Sequence, residues 1–347
     1  MIRVVIIGMG KMGMSHCAIL RAHPDVKLVA MCDTDSLLQS AFKKLTDIAC
    51  YSDYRKMIDV EKPDAVYVVT PTKLHYDMVM YALKKGCHVF CEKPFSIGTK
   101  EGEEMCAYAK KSGLINQVGY HNRFIGTFNA MRQLLKTGII GTPFHFMGEA
   151  YGPVVLKPKG STWRSSKNTG GGCVMDYAAH VLNLINYVTD SPIIRTEGAF
   201  MPSIYSKEVD DAVYSTLILE NGLRGQLSVC WSDETYRKMT TSIKIEGNGG
   251  KMEADATTLK IYVKSATKAA LDLDGKVHRE LSLDKGWNFY YLTDFTPQVF
   301  FNLRGEEYSM ETDYFIHHIK DHSMENRNSF AESILTDRII TQLINNK

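Results

Sequence analysis

Six residues near the start of the chain limit its fold more than any other feature. Gly8-Met9-Gly10-Lys11-Met12-Gly13 follows the apolar run Arg3 to Ile7 and opens a helical stretch that reaches about Ala22. Glycines at this spacing suit a tight strand-to-helix turn whose backbone comes close to a pyrophosphate. The free N–H groups and partial positive charge of the helix start then favour phosphate binding. Asp33 follows Gly13 by about 20 residues, the spacing at which an acidic residue accepts hydrogen bonds from the adenosine ribose hydroxyls. It closes the next apolar run, Lys27 to Met31. A carboxylate there repels a 2′-phosphate, so NAD is expected over NADP. Asp35 or Ser36 can cap the helix that follows, which leaves Asp33 to the cofactor. Lys11, Met12 and Thr34 complete the expected binding set in this part of the chain.

Short apolar runs and helical stretches alternate through the first third. Helices are expected over Ser36 to Leu45, Leu74 to Lys85 and Glu101 to Lys111. Strands are expected over Ala65 to Val69, His88 to Cys91 and Ile115 to Gly119. This alternation builds βαβ units and a parallel sheet covered on both faces. After about Phe124 the pattern changes. A helix is expected over Phe128 to Lys136, then strands that include Phe144 to Tyr151, Ala212 to Leu219, Gly225 to Cys230, Thr241 to Glu246 and Leu259 to Val263. Asn221-Gly222 and Asn248-Gly249-Gly250 are hairpin signals. Two helices, about Tyr308 to Asp321 and Phe330 to Asn345, close the chain. The expected fold is α/β, with a Rossmann dinucleotide-binding domain over 1–124. An α+β domain on a mostly antiparallel sheet follows over 125–347.

Composition removes whole classes of function. With 347 residues the chain is long enough for two domains. Its net charge is +2, from 41 basic and 39 acidic residues, which gives no basic face for nucleic acid. No apolar run reaches the roughly 18 residues of a membrane span, and the start lacks the pattern of a signal peptide. The eight cysteines form no CxxC pair, so they are expected to be reduced and structural, in a cytoplasmic protein.

Two further segments carry chemistry. Cys91-Glu92-Lys93-Pro94 ends the His88 to Cys91 strand, and ligands of open parallel sheets bind beyond the carboxyl ends of strands. Lys93 there either faces the crevice or is a surface lysine in a turn. Gly170-Gly171-Gly172 lets the chain pass close to something, and a helical stretch follows in which Asp176 and His180 are spaced i, i+4. That spacing puts a carboxylate and an imidazole on one helix face, either as a general acid/base pair or as a pair without a chemical role. One Asp and one His are too few ligands for a metal, so none is expected.

In this order, the glycine fingerprint, Thr70-Pro71 with His75, Glu92-Lys93-Pro94, Tyr120-His121-Asn122-Arg123-Phe124, the glycine run with Asp176 and His180, and Val209-Asp210-Asp211-Ala212 resemble the Gfo/Idh/MocA oxidoreductase family. The resemblance covers nearly the whole chain. It implies a second domain with a large open sheet whose exposed face makes subunit contacts, hence a homodimer or homotetramer. It implies that Lys93 contacts both substrate and nicotinamide, that His180 is the acid/base and that Asp176 orients it or holds substrate. Thr70, Pro71, His75 and Glu92 then border the cofactor. Trp163 and Arg164 reach cofactor or substrate, and Asn122, Arg123 and Asn183 join the substrate set. Two positions depart from the family pattern: Asn183 stands where polyol-oxidising relatives carry Asp, and Thr72 where Asn often follows Thr-Pro. The expected activity is transfer of a hydride between nicotinamide and a hydroxyl-bearing carbon of a sugar, sugar derivative or cyclic polyol. The alternatives are a glycosidase with recycled NAD and a cofactor-sensing protein.

Overall fold

The apolar runs between glycine turns in the first third form six parallel strands. They are β1 (Ile2–Ile7), β2 (Val26–Cys32), β3 (Ala49–Tyr51), β4 (Ala65–Val68), β5 (His88–Cys91) and β6 (Asn116–Val118). The computed structural model describes residues 1–158, 162–297 and 305–346. The strand order β3-β2-β1-β4-β5-β6 reverses between β1 and β4, the arrangement of a doubly wound sheet. Five helices link the strands: α1 (Lys11–Ala22), α2 (Ser36–Leu45), α3 (Tyr54–Glu61), α4 (His75–Lys84) and α5 (Thr99–Ser112). Asp35 caps α2, accepting the N–H groups of Leu37 at 2.8 Å and Leu38 at 3.1 Å. Strand β3 and helix α3 are not among the expected elements, because they span only three and eight residues.

The compact units divide the chain at Tyr120, and they are not contiguous in sequence. Met1–Tyr120 and Phe301–Asp337 form the first; His121–Phe300 and Arg338–Lys347 form the second. This differs from a division into 1–124 and 125–347, because a late segment returns to the first unit. The reason is hydrophobic. The helix Glu306–Lys320 brings Phe315 and Ile316 into the core with Val4, Ile6, Tyr67 and Phe90. Tyr67 stacks on Phe90 with centroids 4.5 Å apart, and Phe315 meets Tyr67 edge-on at 5.6 Å. Burying each such ring is worth about 1.5–3 kcal/mol.

The second unit begins with helix α6 (Gly126–Lys136) and strand β7 (Pro143–Tyr151), and continues to helix α7 (Ala179–Thr189). Then come β8 (Ile193–Phe200), β9 (Ala212–Leu219), β10 (Arg224–Cys230), β11 (Thr240–Gly247), β12 (Gly250–Asp255) and β13 (Thr258–Val263). The hairpin β14 (Thr267–Leu273) and β15 (Val277–Leu283) forms a separate two-stranded sheet, and β16 (Gly286–Tyr291) completes the main one. The order is β16-β13-β12-β11-β7-β10-β9-β8, antiparallel except for β10 on β7. Asn221-Gly222 and Asn248-Gly249 sit at hairpin turns as expected. Along β7, Phe146, Gly148 and Ala150 are buried while His145, Met147, Glu149 and Tyr151 are half-buried. Helix α7 packs at Gly148, where an added Cβ would come within 2.7 Å of Val181 and Ile185. Charge pairs lace the other face, with Lys244 2.9 Å from Glu149 and Lys251 3.2 Å from Glu246. No helix among the described residues is long and apolar enough to cross a membrane.

Candidate active site

In the first unit the glycine fingerprint lies at the carboxyl end of β1, at the switch point of the sheet. Each glycine has its own reason. Gly8 has φ +105°, and a Cβ there would lie 2.4 Å from the Val69 carbonyl oxygen. At Gly13 a Cβ would lie 2.0 Å from the Gly8 carbonyl oxygen, so only glycine lets α1 start this close to the turn. Gly10 differs, because nothing stands within 4 Å of the Cβ position. A side chain there meets open space at the N-cap of α1, where a pyrophosphate would approach. The cradle therefore fits a dinucleotide.

Asp33 follows β2 directly and is half-buried. Its Oδ2 accepts the Met9 N–H at 2.7 Å and its Oδ1 the Asp35 N–H at 3.0 Å, which ties the end of β2 to the glycine turn. Lys11 and Thr34 are exposed beside it and Met12 is half-buried. After β4, Thr70 and Pro71 enter a short 3-10 turn in which Thr72 is buried. His75 is buried and spans two loops, its Nε2 2.8 Å from the Thr70 carbonyl and its Nδ1 3.2 Å from that of Phe95. Burial pushes its pKa down against the pull of both carbonyls. His75 thus clamps the loops after β4 and β5 to each other.

Of Glu92 to Ser96, only Lys93 is not buried. Its peptide bond to Pro94 is cis. Glu92 Oε1 lies 2.7 Å from His16 Nε2, and Glu92 Oε2 accepts the Lys93 N–H at 3.1 Å. Burial alone would push the Glu92 carboxyl up, but the His16 hydrogen bond and charge and the neighbouring Lys93 hold it below its ordinary value. Gly119 leaves the room, since a Cβ there would lie 2.9 Å from Glu92 Oε2. Glu92 thus anchors the turn that presents Lys93. His16, three residues past Gly13, is the partner that sequence reasoning missed.

In the second unit, Asp176 does not sit on a regular α-helix. Val174–Ala178 is a π-helical turn, and α7 begins at Ala179, so His180 is its second residue. Such turns recur at functional sites. Asp176 and His180 are both buried, at 6% and 4% exposure. Arg164 Nε donates to Asp176 Oδ2 at 3.0 Å, and the His121 ring meets the His180 ring edge-on with centroids 5.1 Å apart. The glycine run passes close to protein: a Cβ on Gly171 would lie 2.3 Å from the Arg164 carbonyl oxygen, and one on Gly172 2.7 Å from Asp210 Oδ1. Arg164 is thereby aimed at Asp176, and its guanidinium also covers the Trp163 ring at 4.3 Å. Asn183 is buried and its Oδ1 accepts Arg123 Nε at 2.7 Å, while Asn122 is buried beside it in sequence. A cleft of about 520 Å³ opens next to Trp163 and Arg164, and Tyr205 to Glu208 line it from another loop. That loop was missed, because nothing in its composition separates it from an ordinary surface turn.

One cluster of potential metal ligands occurs among the described residues: His23, Asp313 and His317. His23 Nδ1 accepts the Asp25 N–H at 3.1 Å, so its proton sits on Nε2 and points to Asp313 at 3.3 Å.

Comparison with known proteins agrees with this geometry. Residues 2–120 match the model of the oxidoreductase family with an NAD-binding Rossmann fold. Residues 128–253 match a GFO/IDH/MocA C-terminal domain. Among curated relatives, D-glucoside 3-dehydrogenase of Escherichia coli is 28% identical over 68% of this chain and 70% of its own. Myo-inositol 2-dehydrogenase of Thermotoga maritima is 29% identical over 54% of each. The fold matches that of levoglucosan dehydrogenase in complex with NADH, with a TM-score of 0.85 at 20% identity, over 99% of this chain and 96% of that one.

Proposed function

The chain belongs to the Gfo/Idh/MocA oxidoreductase family, and on that premise we propose that it oxidises a ring hydroxyl of a sugar or cyclic polyol with NAD. The observation that carries this reading is that Asp176, on the π-turn, and His180, at the start of α7, are both buried, with Arg164 on the carboxylate and a cleft beside Arg164. NAD, when bound, supplies the nicotinamide that accepts the hydride. Gly8, Gly10, Gly13 and the first turn of α1 hold its pyrophosphate, and Asp33 its adenosine ribose. Thr70 and Pro71 border it.

His180 is the base that takes the hydroxyl proton. Asp176, itself held by Arg164, lies on the turn that leads into His180 and orients the imidazole or holds substrate. Lys93 is the cation that stabilises negative charge growing on the substrate oxygen. Asn122, Arg123 and Asn183 belong to the substrate set, with Arg123 fixed on Asn183. The half-buried polar face of the main sheet in the second unit pairs with a second copy, which makes a homodimer or homotetramer.

The test is NADH formation by purified protein with NAD⁺ and myo-inositol, glucose or a β-glucoside, repeated with Lys93→Ala and His180→Ala. A signal lost in both variants supports the assignment. A signal that survives in His180→Ala ends it. Sugar hydrolysis without added NAD would instead favour the recycled-cofactor glycosidase.

A further inference from the structure

The cleft next to Arg164 has a wall that no step above uses. Tyr205, Ser206, Lys207 and Glu208 line it, and the wall is built on Asp211. Asp211 is fully buried, and five donors converge on it. Its Oδ2 accepts the N–H groups of Ile204 at 2.7 Å, Tyr205 at 2.6 Å and Ser206 at 2.7 Å. Its Oδ1 accepts the Ser206 hydroxyl at 2.6 Å and the Trp231 indole N–H at 2.7 Å. Burial would push the carboxyl up, but these donors hold it below its ordinary value, so the anion is the form that organises the loop. Three successive N–H groups on one oxygen make the chain curl, and the curl delivers Tyr205 and Ser206 to the cleft.

The preceding residue fixes the site from its other side. Asp210 Oδ2 accepts the Val174 N–H at 2.7 Å, and Val174 opens the π-turn that carries Asp176. Just before β9, Asp210 thus holds the turn that carries Asp176, and Asp211 separately holds the cleft wall. The cleft lining combines hydroxyls of Thr162, Ser165, Ser166, Tyr205 and Ser206 with the Trp163 ring; of its charged groups Arg164 is paired with Asp176, and Lys207 and Glu208 are of opposite sign. Its volume of about 520 Å³ falls in the small-molecule range of ~300–1,000 Å³. Such a lining suits a neutral polyhydroxylated group better than an anion.

We propose that this cleft is a subsite for a second sugar ring, so that the substrate is a glycoside oxidised on one ring while the other lies between Trp163 and Tyr205. Asp211 is the positioning residue of that subsite. This rests on the sugar-dehydrogenase reading above.

The test compares cellobiose with glucose as substrates of wild type, Tyr205→Ala, Lys207→Ala and Asp211→Asn. The expected result is a KM for cellobiose raised roughly tenfold in each variant. The kcat, the pH–rate profile and all constants for glucose stay as in wild type. Equal changes for both sugars, or no change for either, overturn the subsite. If Asp211→Asn does not fold, the two wall variants still decide. If wild type oxidises neither sugar, fluorescence decides the subsite, and the dehydrogenase reading falls only if myo-inositol is not oxidised either. A cellobiose-dependent change in wild type that disappears in Trp163→Phe and Tyr205→Ala supports it, and no change in wild type overturns it.

Discussion

His16 Nε2 lies 2.7 Å from Glu92 Oε1, with the two side chains 0% and 11% exposed. One comes from α1, behind the glycine turn, and the other from the turn that presents Lys93, so the pair joins those two turns. Removing one partner of a buried pair costs about 3–5 kcal/mol. Glu92→Gln should lose that much in urea unfolding at neutral pH. The sign of the acid dependence follows from the depressed pKa. Stabilisation by Glu92 is complete above its ordinary value of 4.5 and fades as pH drops through the lower folded value. The variant should therefore lose less stability than wild type on acidification. Equal unfolding midpoints at neutral pH would count against the pair.

The fingerprint glycines should separate stability from binding. Gly10→Ala puts a methyl into open space and should leave the melting temperature close to wild type while weakening NAD binding. Gly13→Ala drives a Cβ against the Gly8 carbonyl oxygen at 2.0 Å and should lower stability itself. Calorimetric NAD titration beside thermal melting reads both effects. A Gly10→Ala protein that binds NAD normally would remove the pyrophosphate from this turn.

Asp33 should set the choice of cofactor. A charged hydrogen bond is worth about 1.5–3 kcal/mol. Asp33→Ser should therefore lower the ratio of kcat/KM for NAD over NADP by roughly 10- to 100-fold. An unchanged ratio would move specificity elsewhere.

His180→Ala should cost about 10²–10⁴ in kcat if the imidazole moves the proton. NAD affinity should not change. Arg164→Ala should cost less, because Asp176 and His180 remain and only the partner of the carboxylate is gone. Steady-state rates with a turned-over sugar measure both, and Arg164→Ala matching His180→Ala would make the arginine more than an orienting group.

Asp337 gives a pH dependence of the opposite sense. It is buried and takes the Ser96 N–H at 3.0 Å and hydroxyl at 2.8 Å, three residues past Lys93. Burial pushes its pKa up to about 7 against those two hydrogen bonds. The folded protein then holds a proton that the unfolded chain releases near 3.8, so stability falls as pH rises from there to about 7. Asp337→Asn should flatten that slope, narrowing the stability difference between mildly acidic and neutral solution by on the order of 2 kcal/mol. A parallel pH profile in wild type and variant would remove Asp337 as its source.

Local pattern carries much of this molecule. Ser36 to Leu45, His88 to Cys91, Ala212 to Leu219 and Phe330 to Asn345 form elements with the bounds their periodicity implies. The spacing of Gly8, Gly10 and Gly13 is legible because Gly13 answers to the Gly8 carbonyl five residues back, whereas the contacts of Gly8 with Val69 and of Asp33 with Met9 are set by the sheet. Long-range placement was not legible. Glu306–Lys320 reads as an amphipathic helix in any fold, and nothing in it says that Phe315 joins Tyr67 and Phe90. The π-turn at Asp176 was hidden because its residues also suit an ordinary helix. The glycines at 170–172 announce close approach, but not that the approaching group is the backbone at Arg164. The wall from Tyr205 to Glu208 has no period at all, and its organiser, Asp211, reads as one of two acids before a strand.

The return of the segment Phe301–Asp337 to the first unit has a consequence for the order of synthesis. A ribosome delivers β1 to β6 early but Phe315 only near the end. At ~5–20 residues per second the sheet waits on the order of ten seconds or more for the helix that covers Tyr67 and Phe90. Throughout that interval an apolar face stands open in the nascent chain. The half of the molecule that emerges first is therefore completed last, and a fragment cut after Tyr120 would carry a permanently uncovered face.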